Sequence, residues 1–278
     1  MAASHNELCD ALKPSCLDMR AAPQDSRLAF IFTGQGAQWH AMGRELIDRY
    51  EIFGSTLRAA DHHLKNLGAS WSVIDEVKKD AASSRLQSAS IGQPACVAIQ
   101  CALVDLLSSW NVRPLSVAGH SSGEIAAAYT CGSLTLESAL TVAYHRGLLA
   151  SVHLEKNSKL RGGMLAVGLS ETDAQPFLDR IPPSTGKAVV ACVNSPRSVT
   201  LSGDRSAILC VQSMLEARQI FVRKLGVSTA YHSHHMEIVA PSYLSALQVN
   251  VLRFLVFPIQ LVGLFRFMSH IYLSLIHI

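Results

Sequence analysis

Charged and aromatic residues are both scarce in this chain. Asp, Glu, Lys and Arg together make up 16% of its 278 residues, and the aromatic residues only 6%. With 49% apolar residues beside so few charges, the chain can bury a core and is not of the disordered class. The formal net charge of +3 is small, and the basic residues are scattered, with no stripe and no interleaved aromatics. That gives no support to a nucleic-acid partner, and none is expected. Residues 1–20 lack the continuous apolar run of a secretory signal. Seven cysteines (Cys9, Cys16, Cys96, Cys101, Cys131, Cys192 and Cys210) form an odd set with no CxxC pair. Reduced thiols are therefore expected rather than disulfides or a zinc site, and the expected location is cytoplasmic. The length suits one large domain, or a large one with a smaller companion.

Residues 1–26 are polar and irregular, with Pro14 and Pro23, and read as a leader or linker. Leu28-Ala-Phe-Ile-Phe32 reads as a buried strand that ends in the turn Thr33-Gly-Gln-Gly-Ala37. A helix is predicted over Trp39 to Tyr50, and another from Pro94 to Trp110, because proline is tolerated at a first helical position. Pro114 to Ala118 reads as a second buried strand, followed by a Gly-rich turn and a helix from Gly123 to Thr130. Strand, turn and helix in succession predict an α/β domain with a largely parallel sheet. From 163 to 228 the rhythm changes to βαββαβ, the order of a ferredoxin-like unit, here inserted between 27–162 and 229–248 of the larger domain. Residues 249–278 form an apolar tail. A membrane span is possible by its length, but Arg253, Gln260 and Arg266 make it a poor one.

Gly119-His-Ser-Ser-Gly123 has the form G-x-S-x-G after a predicted strand and before a predicted helix. A serine on such a turn projects its oxygen outward, and flanking glycines let the helix pack against the strand. The amide of Ser122, with the positive end of the following helix, then points to where an oxyanion would form if Ser121 attacked a carbonyl. An ordinary Ser/Gly turn has the same composition; the strand–turn–helix setting favours the nucleophile. A serine hydroxyl also needs a base. Tyr231-His-Ser-His-His235 supplies His232, His234 and His235, and composition alone does not choose among them. A metal site is the rival reading of this cluster. Adjacent histidines rarely point at one ion, and only Glu237 is a nearby carboxylate, so no metal is expected. Arg146 lies in the otherwise almost uncharged Leu140-Thr-Val-Ala-Tyr-His-Arg-Gly-Leu-Leu149. A guanidinium there needs a carboxylate, a phosphate or solvent. A substrate carboxylate would serve, but the residues alone favour a structural ion pair or a surface position.

Taken together, these residues resemble the acyltransferase family of fatty acid and polyketide synthases, the malonyl-CoA:carrier-protein transacylases. Phe32-Thr-Gly-Gln-Gly-Ala-Gln38 resembles its opening signature, Gly119-His-Ser-Ser-Gly-Glu124 its nucleophile turn, and Tyr144-His-Arg-Gly147 its arginine motif. Ala230-Tyr-His-Ser-His-His-Met236 is similar to its histidine motif as written in fungal reducing polyketide synthases. The resemblance runs from about Leu28 to Leu247. It implies an α/β-hydrolase-like core with a ferredoxin-like small subdomain. It also implies Ser121 as nucleophile, His234 as its general base, and backbone amides of Gln35 and Ser122 as the oxyanion hole. Arg146 would grip the free carboxylate of a malonyl group, and Gln93 and His120 would line the acyl pocket. No bound cofactor is implied: coenzyme A thioester is a substrate, the acyl acceptor is the phosphopantetheine of an acyl carrier protein, and other synthase domains are possible partners.

Two features depart from that pattern. The motif resemblance fades near Gln248, and the apolar tail is unlike the segment that follows in the family, so a C-terminally truncated chain is expected. Tyr231-His-Ser-His234 is neither of the tetrapeptides that sort malonyl from methylmalonyl donors in bacterial modular synthases, and the fungal resemblance favours malonyl. Two other function classes stay open: a serine hydrolase, which needs an acid partner for its histidine and offers only Asp204 between Ser121 and His234, and an inactive fragment of a polyketide synthase.

Overall fold

The computed structural model describes residues 27–156, 161–227 and 229–250. The expected leader and the apolar tail lie outside the described residues. The described residues open with strand β1 (Ala29–Phe32) and helices α1 (Arg44–Arg49), α2 (Glu51–Asn66), α3 (Val73–Lys78) and α4 (Ala89–Ser109). Strand β2 (Ser116–Gly119) follows, then α5 (Gly123–Thr130) and α6 (Leu136–Lys156). Next come β3 (Gly162–Val167), α7 (Glu171–Leu178), β4 (Ala188–Ser195), β5 (Ser198–Asp204), α8 (Arg205–Glu216) and β6 (Val222–Lys224), and then helix α9 (His235–Asn250).

Local chemistry accounts for the helices of the larger part. In α2, Phe53, Leu57, Ala60 and Leu64 recur at helical spacing and are all buried, while the charged residues take the other face. Ser72 caps α3 by accepting a hydrogen bond from the Asp75 amide at 3.1 Å. Helix α4 is apolar almost all round and sits between α2 and α6 as the centre of the core. Among the described residues it is the one helix long and apolar enough to cross a membrane, and its burial shows what that apolarity does here. It begins five residues before Pro94, not at Pro94 as predicted. The proline therefore removes one hydrogen bond from inside the helix, a loss that packing on several sides offsets.

Strands β1 and β2 pair in parallel, Ala29 with Ser116 through to Phe32 with Gly119. Parallel register brings both carboxyl ends, and the turns that leave them, to one edge of the sheet. The His120 amide extends the pairing with a 2.9 Å bond to the Phe32 carbonyl. Neither strand is buried as predicted. Ile31 is 79% exposed and Leu115 74%, because the parallel sheet has only these two strands among the described residues, and Phe32 and Val117 face the helices while their neighbours face away.

The βαββαβ run forms a separate four-stranded antiparallel sheet in the order β4-β5-β3-β6. Strand β5 lies between β3 and β4, which splits the βαβ unit as a ferredoxin-like arrangement requires. Helices α7 and α8 cover one face through Phe177, Ile208, Val211 and Leu215, packed on Leu165, Val167, Val199 and Leu201. Helix α9 then returns to the large core beside α6, where the Tyr243 hydroxyl donates to the Val142 carbonyl at 3.2 Å. Among the described cysteines, Cys96, Cys101, Cys131, Cys192 and Cys210 are all free thiols.

Candidate active site

Ser121 occupies the sharp turn between β2 and α5 with φ +53°, a left-handed conformation that costs energy for a serine and persists only where its surroundings hold it. The flanking glycines are a steric requirement. A Cβ at position 119 would stand 2.2 Å from the Glu124 amide nitrogen, and one at 123 would stand 2.3 Å from the Phe32 carbonyl oxygen. Only hydrogen at both positions lets α5 pack this closely on β1 and β2, so the G-x-S-x-G pattern is explained by approach distance.

The histidine beside the serine is His232, whose Nε2 lies 2.9 Å from the Ser121 Oγ. His234, expected as the base, is turned away, with its Nε2 3.3 Å from Asp204 Oδ1. The correction has a backbone cause. His232 has φ +60°, so the chain reverses there and side chains two residues apart diverge to opposite sides of the turn. The premise that adjacent histidines do not converge on one group fails at the same place. His234 and His235 are adjacent, yet both direct Nε2 to the Asp204 carboxylate, His235 at 2.7 Å, and the three side chains form a group of metal-ligating type.

Arg146 projects from the middle of α6. It is 6% exposed, and among the described residues no carboxylate pairs with it. The sequence reading of a structural ion pair or a surface arginine does not hold. Its Nη1 donates to Gln93 Oε1 at 2.7 Å, its Nη2 stands 3.5 Å from Ser121 Oγ, and its guanidinium carbon lies 4.9 Å from the centre of the Tyr231 ring. Gln93, 1% exposed on α4, holds the group together, because its amide also donates to the Tyr231 hydroxyl at 2.8 Å and to Gln35 Oε1 at 3.1 Å. Gln35 comes from the turn after β1, so the parallel register of the strands is what sets it beside Ser121. Among the described residues, the amides of Gln35 and Ser122 make no hydrogen bond of their own.

His120 faces the small subdomain, with its Nε2 3.1 Å from Asn194 Oδ1 on β4; Asn194 is fixed in turn by donating to Thr200 Oγ1 at 3.0 Å. The structure thus brings Ser121, Gln35, Ser122, Gln93, His120 and Arg146 to one place and leaves His234 out. Sequence reasoning left His232 as one of three candidate bases and missed Tyr231 and Asn194 as contributors. Tyr231 and His232 stood inside the quoted histidine motif, but Asn194 read only as part of a turn.

The electrostatics favour a neutral imidazole. Burial, then the nearby Arg146 cation, then His120 lower the His232 pKa from 6.5 to about 4. A neutral ring at the serine can accept its proton. Among the described residues no carboxylate bonds to His232; Asp204 is held by the two histidines that follow it. A hydrolase-type Ser-His-acid triad is therefore not assembled from these side chains. Among the described residues, the assembled groups are a hydroxyl with a base, two amides with no hydrogen bond of their own, and a buried cation with no carboxylate partner, which suits acyl transfer with an anionic acyl group.

A model of the acyl transferase domain family matches residues 29–266, and the chain belongs to that family. The match continues past Gln248, where the motif resemblance ends. The chain is 52% identical over 249 residues to a highly reducing polyketide synthase of Leptosphaeria maculans, covering 89% of this chain and 10% of the relative. It is 47% identical over 244 residues to the squalestatin tetraketide synthase of a Phoma species, covering 87% and 9%. The chain thus spans about a tenth of the length of the curated relatives it matches. Among solved structures, a loading acyltransferase from the avermectin modular polyketide synthase aligns with a TM-score of 0.70 at 31% identity, over 79% of this chain and 68% of that one. The acyltransferase domain from the second module of the salinomycin polyketide synthase gives 0.70 at 32% identity, over 88% and 57%.

Proposed function

We propose that this chain moves a malonyl-type acyl group from coenzyme A to the phosphopantetheine thiol of an acyl carrier protein, within polyketide or fatty acid synthesis. The observation that carries this reading is the buried guanidinium of Arg146, without a carboxylate partner among the described residues and 3.5 Å from the Ser121 hydroxyl. A buried cation is costly unless matched, and the free carboxylate of a malonyl group would match it bidentately while presenting the thioester carbonyl to Ser121. The relatives named as polyketide synthases support the setting.

In the first half-reaction, Ser121 Oγ attacks the thioester carbonyl as His232 Nε2 takes its proton. The tetrahedral oxyanion is received by the amides of Gln35 and Ser122. Collapse breaks the carbon–sulfur bond, and the coenzyme A thiolate leaves with the proton that His232 returns. In the second half-reaction the carrier thiol gives its proton to His232 and attacks the malonyl-serine ester. The new thioester forms, and Ser121 recovers its proton. Ping-pong kinetics follow from the covalent intermediate.

The test is labelling with radioactive malonyl-CoA. Ser121→Ala should abolish it, and undiminished label on that variant rules the nucleophile out. Arg146→Ala should weaken malonyl transfer more than acetyl transfer. Equal losses on the two donors would remove the carboxylate clamp.

A further inference from the structure

We propose that Asp204, a residue of the small subdomain, is a positioning residue for the catalytic base: it holds the turn that presents His232 to Ser121. The proposal rests on the reading of His232 as that base. Asp204 closes β5, and its carboxylate is tied at both oxygens. Oδ2 accepts from the amide of Lys187, the residue before β4, at 2.7 Å, and Oδ1 accepts from His235 Nε2 at 2.7 Å, with His234 Nε2 at 3.3 Å. The first bond belongs to the small sheet. The second crosses to the first residue of α9, which packs in the large core.

Between that crossing and the serine lies the segment that needs support. His232 has φ +60°, a conformation that an unrestrained histidine would leave. Ser233 closes the turn from within, by donating to the Ala230 carbonyl at 2.7 Å. On the other side the backbone of Ala230 lies against Gly162, where a Cβ would stand 2.5 Å from the Ala230 amide nitrogen. The Asp204–His235 bond is the fixed point on the far side of His232, three residues on and buried. Burial alone would raise the Asp204 pKa, but the Lys187 amide and then His235 and His234 outweigh it and hold the carboxyl below its ordinary value, so the anchor is ionised at neutral pH.

The same three side chains can be read as a metal centre. A separation of 2.7 Å is that of a hydrogen bond, shorter than the roughly 3.3 Å edge between ligands of a tetrahedral ion at about 2.0–2.1 Å. Asp204, His234 and His235 are therefore read as a hydrogen-bonded anchor. Because the anchor spans the two subdomains, a shift of the ferredoxin-like unit would move the base without touching Ser121, Arg146 or Gln93.

The experiment is a double-mutant cycle on the full chain, with acylation by malonyl-CoA measured in single turnover. Asp204→Ala is expected to lower the acylation rate about 10- to 100-fold and to leave the donor concentration at half-maximal rate within about two-fold, since the groups that bind malonyl are untouched. Adding it to His232→Ala should produce no further loss. Asp204→Asn, which keeps one acceptor oxygen, should fall between wild type and Asp204→Ala, and it stands in if the alanine variant lacks a cooperative melt. Full losses that multiply in the double variant, or an unchanged rate in both Asp204 variants, would overturn the proposal. Full activity in His232→Ala would instead overturn the reading of the base, which is a separate result.

Discussion

Ser121 and His232 stand 111 positions apart in the chain and 2.9 Å apart in space, each in a left-handed backbone conformation. Two strained residues from different turns meet through one hydrogen bond, Nε2 to Oγ. The strain of each is held by close packing that only hydrogen at nearby glycines permits, at Gly123 for the serine turn and at Gly162 for the histidine turn. The site is therefore preorganised, with cost stored in the backbone and its reacting atoms already in reach.

Replacing His232 by Ala should lower acylation by about 10²–10⁴-fold, the usual worth of a general base. His234→Ala should cost far less, because that ring faces Asp204. Single-turnover labelling of both variants decides the matter, and a greater loss in the His234 variant would restore the original sequence assignment.

Activity should persist into acid. With the His232 pKa lowered to about 4, kcat/KM is expected to hold down to about pH 4 and then fall tenfold per unit. Removing the Arg146 cation takes away the second cause of that depression, so in Arg146→Ala the acid limb of acetyl transfer should move up toward 6.5. A bound malonyl carboxylate offsets the same cation, so the limb of kcat should lie above that of kcat/KM in wild type. For stability the sign is fixed as well. The unfolded chain takes up this proton near 6.5 and the folded one only near 4, so the folded state loses stability as pH falls through that window. pH–rate profiles and melts from pH 4 to 8 test both statements.

Gln93→Leu should be destabilising by about 1–3 kcal/mol, the cost of leaving buried partners unpaired. It strands Arg146 Nη1 and takes the Gln93 partner from the Tyr231 hydroxyl, which keeps only Thr229. Tyr231→Phe takes one partner from the Gln93 amide and one from Thr229 but strands no charge, and should cost about 1 kcal/mol. Urea denaturation of the two variants measures the order, and malonyl KM should rise with Gln93→Leu because the guanidinium is no longer aimed.

Gly123→Ala should cost about 1–3 kcal/mol or more and depress acylation, since its Cβ would meet the Phe32 and Thr33 backbone within 2.9 Å and neither can yield cheaply. Gly163→Ala is the matched control. Its Cβ would find Ile208 at 3.6 Å, an ordinary contact, so thermal melts should show little change there.

The sequence by itself was enough for a good part of this protein. Period-two and helical patterning, with turn residues between, determined the βαββαβ order from 163 to 228, and the glycine spacing determined that Ser121 sits on a tight strand-to-helix turn. Those are local properties, set by backbone sterics within a few residues. Which histidine meets the serine was not legible, because Tyr231-His-Ser-His-His235 holds three equal candidates and a single positive φ at His232 decides which side each ring takes. Arg146 was misread for a related reason: its partners Gln93, Ser121 and Tyr231 come from three other segments, so its burial, with no counter-ion among the described residues, exists only once α4, α6 and the two turns have packed. The exposed faces of β1 and β2 were likewise beyond the sequence, since an apolar run records that a strand can be buried while the neighbours on each side decide whether it is. Long-range packing chose among options that local chemistry had left equal.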